Sequence, residues 1–280
     1  MEIVFVVDGS PDGSLLLLRR LLPDASVASQ VVSHSRNFGA FPAIRTGLAV
    51  ARGDYIGVMA ADLQEPPKLM EEFFAEMIAG DIDVTVGRRE SRDDPKGSAA
   101  LSRVFWALYR RFVISDIPKG GVDVFGCTRA VAGQLLRLNE RNTSLVGQLY
   151  WLGFNRKEVP YVRSARESGK SGWTLKKKVR YLLDSIFSFT DLPIRILTAI
   201  GVIGGLLTAV AGITVFGAWS IGGITEVGYT PIMLVVLSSA FAILYGLGIV
   251  GSYVWRTYEN GKDRPVSISM SHEIFDGYSD

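Results

Sequence analysis

The sequence contains one cysteine, Cys127, and two histidines, His34 and His272, in 280 residues. A lone thiol excludes an intramolecular disulfide, and so few imidazoles and thiols exclude a zinc site built from them. Any bound metal must therefore be hard and oxygen-ligated, which points to Mg²⁺ or Mn²⁺. A dominant charge of one sign is also lacking. With 30 basic against 28 acidic side chains and 48% apolar residues, the chain is neither a disordered tail nor a highly basic nucleic-acid binder. The opening residues do not read as a signal peptide, because Glu2 and a strand-like run stand where a basic and then an apolar region would be needed.

Charge is missing altogether from two long stretches. No charged residue lies between Arg195 and Glu226, and none between Glu226 and Arg256. Each interval exceeds the roughly 20 apolar residues that span a bilayer, and together they lift the mean hydropathy to +0.24. Two transmembrane helices are expected, near Ile196 to Trp219 and Pro231 to Tyr253; the alternative is a pair of helices buried in a large core. Gly201, Gly204, Gly205 and Gly212 in the first span, with Gly246, Gly248 and Gly251 in the second, permit close helix approach and self-association into a homo-oligomer. Lys176, Lys177, Lys178, Arg180 and Arg195 precede the first span, and Arg256, Lys262 and Arg264 follow the second. The bias of positive charge toward the inside puts both termini in the cytoplasm and predicts a multi-pass protein of the inner (plasma) membrane.

Up to Arg195 the net charge is +5, and beyond it −3. In the first part, apolar runs (Ile3 to Val7, Gln30 to Ser33, Tyr55 to Met59, Ile82 to Val86) alternate with helical patterns (Pro11 to Leu22, Ala40 to Ala51, Pro67 to Ile78, Ser98 to Val113). That alternation predicts an α/β fold with a mostly parallel sheet and crossover helices, and ligands in such sheets bind at the carboxyl ends of strands. The loops beginning at Asp8, Ser35, Asp62 and Gly87 are therefore the candidate site. Asp62 and Gln64, two residues apart in extended backbone, would present oxygens on one face to a single cation. Each signal has a plainer reading: Asp8-Gly9 and Ser10-Pro11 as turn chemistry, Asp62 as a helix start, Arg88 and Arg89 as a solvated strand exit, and Asp123 as a turn residue after Gly120 and Gly121.

Taken in order, five segments resemble inverting family 2 glycosyltransferases. They are Val4-Phe5-Val6-Val7-Asp8-Gly9-Ser10, Ser35-Arg36-Asn37-Phe38-Gly39, Ala61-Asp62-Leu63-Gln64-Glu65-Pro66-Pro67, Val86-Gly87-Arg88-Arg89 and Arg166-Glu167-Ser168-Gly169-Lys170-Ser171-Gly172-Trp173. Within that family the sequence is most similar to the polyprenyl-phosphate branch, which includes dolichol-phosphate mannose synthases and bactoprenol glucosyltransferases. The resemblance implies a GT-A-like (Rossmann-like) catalytic domain over residues 1–165. A basic phosphate-binding loop and amphipathic juxtamembrane helix would follow over 166–195, two transmembrane helices over 196–255, and a cytoplasmic tail over 256–280. It implies transfer of one sugar, with inversion, from a nucleotide sugar to a polyprenyl phosphate, undecaprenyl or dolichyl, at the cytoplasmic membrane face.

By motif position the resemblance assigns Asp62 and Gln64 to a Mg²⁺ or Mn²⁺ ion, and Asp8, Gly9, Ser10, Arg88 and Arg89 to the nucleotide sugar. Asp123 matches a catalytic aspartate, and Arg103, Arg166, Lys170 and Ser171 match the residues that hold the acceptor phosphate. No general base is needed, because a phosphate monoester is largely ionised at neutral pH. His34 is accordingly expected in a loop and His272 in the tail. Between Arg156 and Arg180 stand nine basic and two acidic residues, so the helix that follows is expected to lie on the inner leaflet with Leu, Ile and Phe beneath.

The sequence also departs from the family pattern. Members open with a further strand and loop, whereas here Met1 falls directly before what reads as the second strand; the expectation is a misassigned start or a truncated chain, since an absent interior strand leaves backbone groups unpaired. Val7 and Ala60 replace common acidic positions, and Gly172 a common lysine. A second reading follows from these departures: a catalytically impaired family member acting as a membrane scaffold or flippase partner.

Overall fold

The computed structural model describes residues 1–62, 64–89, 105–118, 121–164, 175–221 and 229–277. These fall into two compact units, one made of Met1–Ser185 with Asp263–Asp280, the other of Ile186–Lys262. The predicted alternation is present: β1 (Glu2–Val7), α1 (Ser14–Leu21), β2 (Ala28–His34), α2 (Ala40–Val50), β3 (Tyr55–Val58), α3 (Lys68–Ile78) and β4 (Val84–Arg89). A helical stretch over 105–112 (α4), then β5 (Phe125–Thr128), α5 (Arg129–Arg137), α6 (Leu145–Trp151) and β6 (Arg156–Tyr161) complete the contiguous part of this unit. α1 begins three residues later than the Ser10-Pro11 pair suggests, where the Asp12 carboxylate accepts from Ser14 N at 3.1 Å.

The sheet is mixed, which corrects the expectation of a mostly parallel one. One sheet has the order β1-β2-β7, with β1 parallel to β2 and the C-terminal strand β7 (Ser269–Phe275) antiparallel to β2. The other has the order β3-β5-β4-β6, with β4 and β6 parallel and β5 running antiparallel between β3 and β4. The physical reason is that strand–helix alternation dictates parallel pairing only between strands joined by a single crossover helix, as β1 and β2 are; β5 and β7 follow much longer excursions, which leave their direction free. Among the described strands, β1 and β3 each have one hydrogen-bonded neighbour.

The second sheet is buried from both sides. Phe73 and Met77 of α3 lie in one cluster with Val124 and Val159, while Val131 and Leu135 of α5 and Leu149 of α6 join Val84, Val86 and Phe125 in another. Burying such side chains is worth about 1.5–3 kcal/mol each and fixes the strand register that aims β4 and β6 at the site. Gly87 is required at its position, since a Cβ there would lie 2.6 Å from a Val124 methyl and 2.9 Å from the Tyr161 ring.

Helix α7 (Leu175–Phe189) has a protein neighbour along one face. Its Tyr181 is buried, stacks on Tyr109 with ring centroids 5.7 Å apart, and bonds Ser144 Oγ at 2.6 Å, so one face packs within the first unit. That stack adds about 1 kcal/mol beyond burial. Val179 and Leu183, four residues apart on the helix, remain exposed and apolar.

The second unit consists of α8 (Leu192–Ser220) and α9 (Tyr229–Gly261), preceded by the end of α7. Leu192–Ala211 and Ser238–Gly261 are long and apolar enough to cross a membrane. The apolar side chains Leu206, Leu207, Ile213, Phe241 and Leu244 are each more than 60% exposed, which disfavours the alternative of helices buried in a core. Near the end of α9, Lys262 lies over the Tyr258 ring at 4.3 Å and the Trp255 ring at 5.3 Å, an aromatic and basic grouping suited to a headgroup layer. The tail is not free: residues after Asp263 return to the first unit, and the pairing of β7 with β2 puts His272 in a strand.

Candidate active site

Two groups of polar side chains form at strand ends. The first surrounds Asp8, just past β1. Its Oδ1 accepts from Phe38 N at 2.9 Å and bonds His34 Nδ1 at 2.8 Å, and its Oδ2 accepts from Gly39 N at 2.7 Å. Asp8 thereby ties the 8–10 loop to the 35–39 loop. Gly9 has φ +60° and lies so close to the second loop that a Cβ would be 2.3 Å from the Arg36 carbonyl carbon, so only glycine allows this approach. His34 is not a loop residue: it ends β2, its side chain is wholly buried, and its Nε2 bonds Thr46 Oγ1 at 2.8 Å. Ser10 is exposed.

The second group gathers around Asp123, which precedes β5. Arg89, the last residue of β4, forms an ion pair with Asp123 Oδ2, and Tyr161 at the end of β6 donates to the same oxygen at 3.5 Å. Arg163, two residues beyond, is 3.9 Å from it. The parallel register of β4 and β6, in which Arg89 pairs with Tyr161, is what assembles this trio. Arg163 also reaches the loop after β3: its guanidinium donates to Gln64 Oε1 at 2.8 Å and lies 3.2 Å from Glu65 Oε1. A backbone bond from Ser164 N to Gln64 O at 2.9 Å and a side-chain bond from Gln64 Nε2 to Ser164 O at 3.3 Å lock the two segments together.

Glu65 is almost fully buried, and burial raises its carboxyl above the usual range while the nearby Arg163 guanidinium pulls the other way. Burial likewise raises the Tyr161 hydroxyl, with Arg89 opposing it. Neither Glu65 nor Arg163 was identified from the sequence. The available signal was the i, i+2 spacing of Tyr161 and Arg163 at a strand exit, which puts both on one face. Arg88 points the other way along the strand and pairs with Glu158 at the surface, 3.3 Å apart and nearly half exposed, as a solvated strand exit would. Arg103, Arg166, Lys170 and Ser171 lie outside the described residues.

A metal assignment can be tested against these groups. No cluster of three or more His, Cys, Asp or Glu suited to a metal occurs among the described residues. Asp62 offers a carboxylate, with Oδ1 3.4 Å from Gln64 N, whereas the Gln64 amide oxygen faces a guanidinium. The donor set fits a hard cation held by one protein carboxylate together with substrate phosphates and waters, a common way of holding Mg²⁺. Gln64 is oriented as a clamp on Arg163.

Arginines held by carboxylates at strand ends are suited to binding an anionic group, and comparison with known proteins places the chain in a family. Residues 1–137 match glycosyl transferase family 2. CsbB, a Bacillus subtilis protein named as a glycosyltransferase, is 33% identical over 94% of this chain and 80% of its own length. The bactoprenol glucosyl transferase of Shigella phage SfV and the prophage bactoprenol glucosyl transferase homolog of Escherichia coli K12 are each 31% identical, over 95% of this chain and 86% of theirs. The chain belongs to glycosyltransferase family 2 and is a glycosyltransferase.

Proposed function

We propose that this glycosyltransferase moves a single sugar, with inversion, from a nucleotide sugar to a polyprenyl phosphate at the cytoplasmic face of the membrane. The observation that carries this reading is the extent of the likeness to the bactoprenol glucosyl transferases: 95% of the chain is covered, so it takes in the long apolar helices as well as the catalytic lobe. α8 and α9 hold the lobe beside its lipid substrate, with both termini cytoplasmic.

The acceptor phosphate is ionised without help and attacks the anomeric carbon from the face opposite the diphosphate; the bond to the diphosphate breaks, and that group leaves with its electron pair. Negative charge grows on the leaving oxygen, and Arg89 and Arg163 are the described cations that meet it. Asp123 aligns both guanidiniums, Tyr161 supports it, and Gln64 with Glu65 holds Arg163 from the opposite side. The Asp8 loop receives the nucleotide, and Arg103, Arg166, Lys170 and Ser171 the acceptor phosphate. A divalent cation at Asp62 would supply further neutralisation of the diphosphate.

A screen of radiolabelled UDP, GDP and dTDP sugars with undecaprenyl phosphate and the purified full chain tests the reading. One donor is expected to yield a labelled sugar-phospholipid. If none does, the proposal fails and the reading as a catalytically impaired scaffold is favoured.

A further inference from the structure

The 35–39 loop is held from two directions. From one side the Asp8 carboxylate takes the Phe38 and Gly39 amides, as described; from the other, Ser35 N donates to the Ile268 carbonyl at 3.0 Å. Ile268 belongs to the segment that follows the second apolar helix. The adjacent residue, Ser267, bonds Thr46 Oγ1 at 3.0 Å, Thr46 bonds His34 Nε2 at 2.8 Å, and His34 Nδ1 bonds Asp8 at 2.8 Å. The carboxylate can only accept, so Nδ1 carries the proton; a neutral ring then accepts from Thr46, and Thr46 from Ser267. All three links are of normal length, and the central ring is wholly buried.

The same segment is anchored along its length. Arg141 donates to the Arg264 and Pro265 carbonyls, His272 Nε2 bonds Gln30 Oε1 at 2.8 Å, and the Glu273 carboxylate takes Arg19 Nε at 2.9 and 3.0 Å. Phe275 packs on the cluster of Val7, Leu22 and Val31 beneath β1 and β2. A segment docked only to tidy a sheet edge would not need a hydroxyl linked through Thr46 to a buried histidine.

We propose that the C-terminal segment is part of the donor-binding machinery, with Ser267 a positioning residue that acts through Thr46 and His34 on Asp8. This rests on the reading of the Asp8 loop as the nucleotide site. The chain leaves the catalytic lobe at Ser185 and returns at Asp263, so the residues that fix the donor loop are continuous with the membrane anchor. Ser267 and Thr46 touch no substrate; their effect is on how well the two loops are preset for the nucleotide, and it belongs in donor KM.

The test uses the full chain in detergent, undecaprenyl phosphate, and whichever UDP, GDP or dTDP sugar saturates the wild type. Ser267→Ala is expected to raise donor KM about fivefold, the effect of losing one neutral hydrogen bond, with kcat and acceptor KM within about twofold. Ser267→Thr restores the wild-type value. Thr46→Val removes the same link, so the Ser267→Ala/Thr46→Val double variant should be no worse than Thr46→Val alone. Donor KM unchanged in Ser267→Ala, additive effects in the double variant, or donor and acceptor KM rising together would each overturn the relay. A wild type that saturates with a donor while the variants match it sinks the relay alone. A wild type that saturates with none sinks the nucleotide-site reading and the relay with it.

Discussion

Asp8 and Asp123 are both carboxylates at strand ends, yet their surroundings differ in kind. Asp8 is satisfied by two backbone amides and a histidine, whereas Asp123 is faced by Arg89, Arg163 and a tyrosine hydroxyl. Neutral donors at fixed positions make a brace that sets the distance between two loops. Guanidiniums gathered on one carboxylate concentrate positive charge at one strand end, which is what the proposed departing diphosphate requires. In the proposed donor site, one carboxylate therefore sets the shape and the other the charge.

The largest effect should come from the charged side of this contrast. Asp123→Asn is expected to lower kcat about 10²- to 10³-fold, as for loss of a preorganised electrostatic group, whereas Asp8→Asn should act mainly on donor KM; steady-state transfer assays on both variants break the contrast if the two parameters move alike. Arg89→Ala should lower kcat by roughly 30-fold, the range for a charge-assisted bond, and Arg88→Ala by less than about twofold because its partner is an exposed glutamate. Glu65→Gln should weaken donor binding by about threefold to tenfold, less than Arg163→Ala, because it loosens the arginine without removing it; isothermal titration with the nucleoside diphosphate ranks the pair.

The smallest effect concerns the docked tail. The Arg19 hydrogen bond holds the Glu273 carboxyl below its usual value of 4.5. Its stabilisation is present above that value and is lost as pH falls through the lower folded-state value. Thermal melts of wild type and Glu273→Gln should differ slightly at pH 7 and converge as the pH falls below the folded-state value, where the carboxyl is protonated in both folded and unfolded chains.

Much of the first half was legible because local chemistry wrote it. The apolar runs became β1 to β4, Asp62 and Gln64 fell in the loop after β3, and the uncharged stretches became α8 and α9. What escaped depended on partners distant in sequence. Glu65 beside two prolines carries no local sign of burial, and only the approach of Arg163, 98 residues on, makes it a buried clamp. Arg88 and Arg89 look equivalent in a string, but strand alternation sends one to solvent and one to Asp123. The C-terminal residues look like a polar tail, although Ile268, Met270 and Ile274 alternate with polar neighbours at the spacing of a strand. Their place beside β2 cannot be inferred from that period alone, since the partner strand is some 240 residues earlier in the chain.

The most direct test of the central claim is the anomeric configuration of the sugar in the lipid product, read by NMR after one round of transfer by the purified full chain. A sugar phosphate of configuration opposite to that in the nucleotide donor is expected, as a single displacement by the prenyl phosphate oxygen requires. Retained configuration, or release of free sugar with the lipid unmodified, would contradict it.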